Sequence, residues 1–128
     1  MIFPIESAAD PVALLAAIKN QGQEAGIALN PETPIEKVKP FLDQADAILL
    51  LSVNPGRQGQ EFIPEVLTKI KNLKAVNSKI KIEADGGINL TNIKQVAEAG
   101  ADYLVVGSAI VGQSDMAAAI NNLKSALV

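Results

Sequence analysis

The chain has 128 residues, 48% of them apolar, a net charge of −3, and neither cysteine nor histidine. That length and hydrophobicity suit one domain with a real core and exclude a disordered polypeptide. The missing cysteines exclude a disulfide framework and a thiolate metal site, the missing histidines remove the commonest general base and metal ligand, and the scattered lysines offer no stripe to a nucleic-acid backbone.

Short β-like runs alternate with longer helical ones along the whole chain. The opening "MIFPIESAAD" lacks the basic region of a secretory signal, and "IFPIE" within it, residues 2–6, reads as the first strand. A helix follows over Pro11–Gln21, with Asp10 as N-cap and Gly22 just past its end. "AGIALN", 25–30, is the second strand. "PETP" then predicts a helix with Thr33 as N-cap, Pro34 at its first position and Glu36 completing a capping box. The third strand is "AILLLSVN", 47–54, followed by the loop "PGRQGQEF" and a helix over Pro64–Val76. "KIKIEAD", 79–85, is the fourth strand, and Thr91–Ala99 its helix, closed by Gly100. "YLVVGSA", 103–109, is the fifth strand, and Asp115–Leu127 the last helix.

Five strand-then-helix repeats predict a parallel α/β sheet, since each spacer is long enough for a right-handed crossover. "ILLL" and "LVV" suit strands covered on both faces. The aromatics are Phe3, Phe41, Phe62 and Tyr103, so the core rests on Ile, Leu, Val and Ala. No apolar run is long enough to span a bilayer, so the expectation is a cytoplasmic protein with no membrane or nucleic-acid partner.

Polar residues stand at the C-terminal end of every strand: Glu6, Asn30, Asn54, Asp85 and Ser108. In parallel strands these ends share one rim, which is where barrels and open α/β sheets place their sites. Asp85 in "ADGG" is a turn former or a catalytic acid on these grounds alone. Within the fourth strand Ile80, Ile82 and Ala84 share the helix-packing face, and Lys81, Glu83 and Asp85 the other. Glu83 is read as a structural buried carboxylate paired with a lysine.

"NPGRQGQ" (54–60), "DGGI" (85–88) and "GSAI" (107–110) could each hold a phosphate through backbone N–H groups. A glycine after a strand is also an ordinary turn, but two such turns after adjacent strands are a stronger signal. Arg57, the one arginine, contacts an anionic substrate or is a solvated loop residue. No "GxxxxGK[ST]" or "GxGxxG" is present.

"ALNPETP", "LLSVNPGRQGQEFIPEVLTKI", "IEADGGIN" and "EAGADYLVVGSAI" together resemble ribulose-phosphate 3-epimerase over essentially the whole chain. The resemblance implies a ribulose-phosphate-binding TIM barrel with a divalent metal, zinc or iron. It implies interconversion of ribulose 5-phosphate and xylulose 5-phosphate in the pentose phosphate pathway by metal-assisted proton transfer at C3. The five strands align with the family's fourth to eighth, so the chain is expected to be a single, partial (βα)8 barrel. Asp85 would be one of two acid/base groups and a metal ligand. The other acid/base group and two histidine ligands belong to family strands with no counterpart here. Gly86, Gly87, Gly107 and Ser108 would grip the phosphate, and Gly56, Arg57, Gln58 and Gly59 would close over the substrate. Arg57-Gln58 stand where the family usually has Phe-Gly, and Pro4 where a histidine commonly stands.

The expectation is an epimerase chain that is inactive alone and associates through its open barrel edges, as a homo-oligomer or with a partner. The alternative is a non-catalytic sugar-phosphate-binding half-barrel or assembly module. A relative of hexulose-phosphate synthase would share "DGG" and "GS" but not the "VNPG" stretch.

Overall fold

A computed structural model describes residues 1–54 and 61–127. Five parallel strands lie in chain order, β1 (Ile2–Pro4), β2 (Gly26–Leu29), β3 (Ala47–Leu51), β4 (Lys81–Asp85) and β5 (Tyr103–Val105). The helices are α1 (Pro11–Asn20), α2 (Glu65–Val76), α3 (Ile93–Ala99), α4 (Ser108–Val111) and α5 (Met116–Ala126). Among the described residues β1 and β5 are the two edges, so the sheet is open.

Alternation along each strand sorts the two faces. Ile27, Leu29, Ile48, Leu50, Ile82 and Ala84 are buried against the helices, where they meet Leu15, Val38, Val66, Ile70, Leu73 and Val96. The opposite face carries Ala28, Leu49, Leu51, Glu83 and Asp85, all half-buried, with Ile2, Tyr103 and Val105 more exposed. The expected split within β4 therefore holds. Glu83 departs from its reading: it is half-buried, and no ion pair ties it to a lysine among the described residues. A carboxylate on a face open to solvent needs no buried counter-charge.

Asp10 caps α1, its Oδ1 accepting from Ala13 N at 3.1 Å, and Asp115 caps α5 by the same bond to Ala118 N at 3.0 Å. The second crossover does not carry the expected α-helix. It uses two 3-10 turns, Ile35–Lys37 and Lys39–Phe41, and Thr33 makes no side-chain cap. Pro40 explains this: it lacks an N–H and would clash with the carbonyl of Glu36 in an α-helix, while also disfavouring helical geometry at Lys39. The fifth strand is shorter than expected. It ends at Val105, and Ser108 opens α4 instead. Likewise α3 starts at Ile93, past Thr91.

Candidate functional site at the carboxyl rim of the sheet

Asp85 is the last residue of β4, paired in register with Leu51 of β3 and Val105 of β5. Its side chain is on the face away from the helices and is half-buried. The chain then turns through Gly86 and Gly87 at φ +124° and +68°, the region that L side chains rarely adopt. Both glycines are also required for space. A Cβ on Gly86 would stand 2.5 Å from Val53 Cγ2, and one on Gly87 only 2.7 Å from the backbone N of Phe62.

The turn is tied from below and from the side. Ser52, fully buried at the end of β3, donates its hydroxyl to Gly86 O at 2.5 Å and its backbone N–H to Asp85 O at 2.8 Å. The Asn92 side-chain amide donates to Gly87 O at 2.8 Å, and its Oδ1 accepts from Asn89 N at 2.9 Å. Both carbonyls of the glycine pair are thus occupied. The N–H groups of Gly86, Gly87, Gly107 and Ser108 donate to no acceptor among the described residues.

Gly107 lies two residues beyond Val105, the residue opposite Asp85, so neighbouring strands carry both turns to one rim. Among the described residues nothing lies within 4 Å of where a Gly107 Cβ would be, unlike the crowded Gly86 and Gly87. Ser108 is exposed and borders a groove of about 340 Å³ with Asn89, Thr91 and Gln113; Asp85 is not part of that groove. Of the other strand tips, Glu6 reaches Asn30: its Oε2 accepts from Asn30 N at 3.1 Å. Gly56, Arg57, Gln58 and Gly59 lie outside the described residues.

Ser52, Asn92 and Lys69 were not singled out by sequence reasoning. Lys69 of α2 reaches up to the rim, where Nζ donates to Pro31 O and Thr33 O, each at 2.6 Å. Burial pulls its ammonium below the ordinary lysine value, against the opposing pull of the Glu6 and Glu36 charges. The one available signal was that Ser52 lies inside the apolar "LLSVN" run, where a hydroxyl needs a partner.

No group of three or more His, Cys, Asp or Glu side chains converges among the described residues. Asp85 can supply carboxylate oxygens, but the donors present do not by themselves fit a divalent-metal site.

The profile of the Ribulose-phosphate 3 epimerase family matches residues 1–111. The chain belongs to the ribulose-phosphate 3-epimerase family. Among curated relatives, ribulose-phosphate 3-epimerase of Bacillus subtilis is 46% identical over 112 residues, covering 84% of this chain and 52% of that protein. The Escherichia coli K12 protein of the same name is 42% identical over 117 residues, covering 88% and 52%. The chain therefore spans about half the length of the curated relatives it matches.

Solved structures extend the fold comparison beyond the epimerase family. 3-Hexulose-6-phosphate synthase from Salmonella typhimurium superposes with a TM-score of 0.73 at 22% identity, over 98% of this chain and 60% of that one. KGPDC from Streptococcus mutans gives 0.71 at 16% identity, over 99% and 59%. At such identities the likeness is one of fold. It matches the open five-stranded sheet to about 60% of each of those chains.

Proposed function

We propose that this epimerase-family chain interconverts ribulose 5-phosphate and xylulose 5-phosphate when it forms part of a complete barrel, and that it is inactive alone. Asp85 serves as one of two acid/base groups at C3 of the pentulose. Inversion at carbon needs proton removal on one face and return on the other, so a second group must stand opposite. The N–H groups of Gly86, Gly87, Gly107 and Ser108 hold the substrate phosphate. In the complete barrel Asp85 would also be one ligand of a divalent metal, zinc or iron, since the described residues bring together no group of three or more candidate ligands. Such a metal would supply charge to offset the negative charge on the substrate oxygens.

What supports this reading most is the turn at the tip of β4: an acid directly joined to two glycines whose carbonyls are occupied and whose N–H groups donate to no acceptor among the described residues. The protein acts in the cytoplasm on the pentose phosphate pathway, and its open edges β1 and β5 associate with a further chain, another copy included.

The test is exchange of the C3 proton of ribulose 5-phosphate in deuterated water, followed by NMR. The isolated chain should give none. Mixed with the amino-terminal half of a relative's barrel, it should give exchange that Asp85→Asn abolishes. Robust turnover by the isolated chain would overturn its proposed dependence on a full barrel. An assembled barrel that exchanges nothing would overturn the epimerase reading.

A further inference from the structure

Ser52 is the one polar residue fully buried among the described residues, and it touches three separate pieces of the rim. Its hydroxyl donates to Gly86 O at 2.5 Å, its N–H to Asp85 O at 2.8 Å, and its carbonyl accepts from Ile63 N at 2.8 Å. Its neighbour Val53 fills the space where a Gly86 Cβ would go, while Phe62, next to Ile63, fills that of Gly87. One residue just past β3 thus fixes the tip of β4, the glycine turn and the start of the 61–64 segment. The hydroxyl bond decides the orientation of the Gly86–Gly87 peptide, because Gly86 O is one end of that peptide group. Its other end is the Gly87 N–H.

We infer that Ser52 is a positioning residue for the phosphate grip: it acts through the Gly86–Gly87 peptide and aims the Gly87 N–H at an anion. This rests on the reading of the glycine turn given above. A positioning serine changes anion affinity in protein that remains folded.

The experiment is titration of the ¹⁵N-labelled chain with inorganic phosphate, following the amides of Gly86, Gly87, Gly107 and Ser108. Wild type is compared with Ser52→Ala and with Val96→Ala, a core change in α3 away from the rim. Ser52→Ala should raise the phosphate dissociation constant by about fivefold to tenfold, the effect of one lost hydrogen bond, while Val96→Ala leaves it unchanged. Ser52→Cys, which keeps the volume but is a weaker donor, should fall between and serves if Ser52→Ala does not fold. Unchanged affinity in Ser52→Ala overturns the inference, and so does a loss that Val96→Ala shares. Phosphate shifts absent from these four amides in wild type overturn the grip itself, and the role of Ser52 in it.

Discussion

Asp102 holds Ile82 by both groups of its backbone: Asp102 N donates to Ile82 O at 2.8 Å, and Ile82 N donates to Asp102 Oδ2 at 2.9 Å. Asp46 does the same to Ala25, with both bonds at 2.7 Å. In each case an "AD" dipeptide precedes a strand, and the aspartate clips it to the start of the strand before. The clip at Asp102 is reinforced by Lys74, whose Nζ donates to the same Oδ2 at 2.7 Å and to Ile80 O at 2.7 Å.

Removing that clip should be costly at the amino-terminal ends of β4 and β5, the opposite end of β4 from Asp85. Asp102→Ala strands the Ile82 N–H and is expected to cost about 1–3 kcal/mol, with Asp102→Asn costing less because it keeps an acceptor. Urea denaturation measures both. A loss below the error of the method for Asp102→Ala would show the clip to be idle.

The same carboxylate predicts an acid response. Burial pushes the Asp102 carboxyl up, but the Lys74 hydrogen bond, the Ile82 N–H and the Lys74 and Lys81 charges outweigh it and hold the group below its ordinary value. A depressed carboxylate stabilises the fold above its unfolded value, about 3.9, and that stability is lost as pH falls through the lower folded value. The stability advantage of wild type over Asp102→Asn should be constant near neutrality and shrink on acidification below about pH 4. Thermal denaturation across that range reads it, and a gap that stays constant into acid would refute the assignment.

The glycines of the rim should separate cleanly. Gly87→Ala meets both a positive φ and the backbone of Phe62, so a loss of about 1–3 kcal/mol is expected. Gly107 has φ −109° and, among the described residues, open space around it, so Gly107→Ala should change stability by less than about 0.5 kcal/mol. Equal losses at the two positions, measured by chemical denaturation, would contradict this geometry.

Much of the fold was legible in the sequence because strand and helix periods differ so plainly in it. "KIKIEAD" alternates cleanly, and its two faces are those of β4, Ile82 and Ala84 buried and Lys81, Glu83 and Asp85 turned away. The helix after Thr33 misled because a capping box is a local signal, whereas Pro40 vetoes the helix from further along. Glu83 misled because a barrel interior was assumed to enclose it, and the open sheet does not. The strand-tip position of Asp85 could be read from its own neighbours. The Ser52 tie to Gly86 could not, since it spans 34 positions and only the parallel register of β3 and β4 creates it.

Lys69 makes the opposite case, a charged residue whose role lies far from its own helix neighbours. Its Nζ takes up the carbonyls of Pro31 and Thr33 on the rim loop after β2. Lys69→Met keeps the aliphatic stem but leaves two carbonyls without their donor, at an expected cost of about 1–3 kcal/mol. Hydrogen exchange should quicken at Thr33, whose N–H donates to Asn30 O, more than at Ile70 in the middle of α2. Uniform quickening across α2 would mean that the lysine supports the helix and not the loop.

The sheet face away from the helices sets the last expectation. Ile2 on one edge strand and Tyr103 and Val105 on the other are 42%, 58% and 38% exposed. Edge strands with apolar side chains and unpaired backbone groups recruit other chains, and a lysine at such an edge blocks the approach. The chain should therefore sediment as a concentration-dependent associating species. Tyr103→Lys combined with Val105→Lys should shift it toward the monomer while changing unfolding free energy little, because neither side chain is in the core. Wild-type protein that remains monomeric at the highest attainable concentration would rule out association through these edges. A double variant that associates as strongly as wild type would place the contact elsewhere.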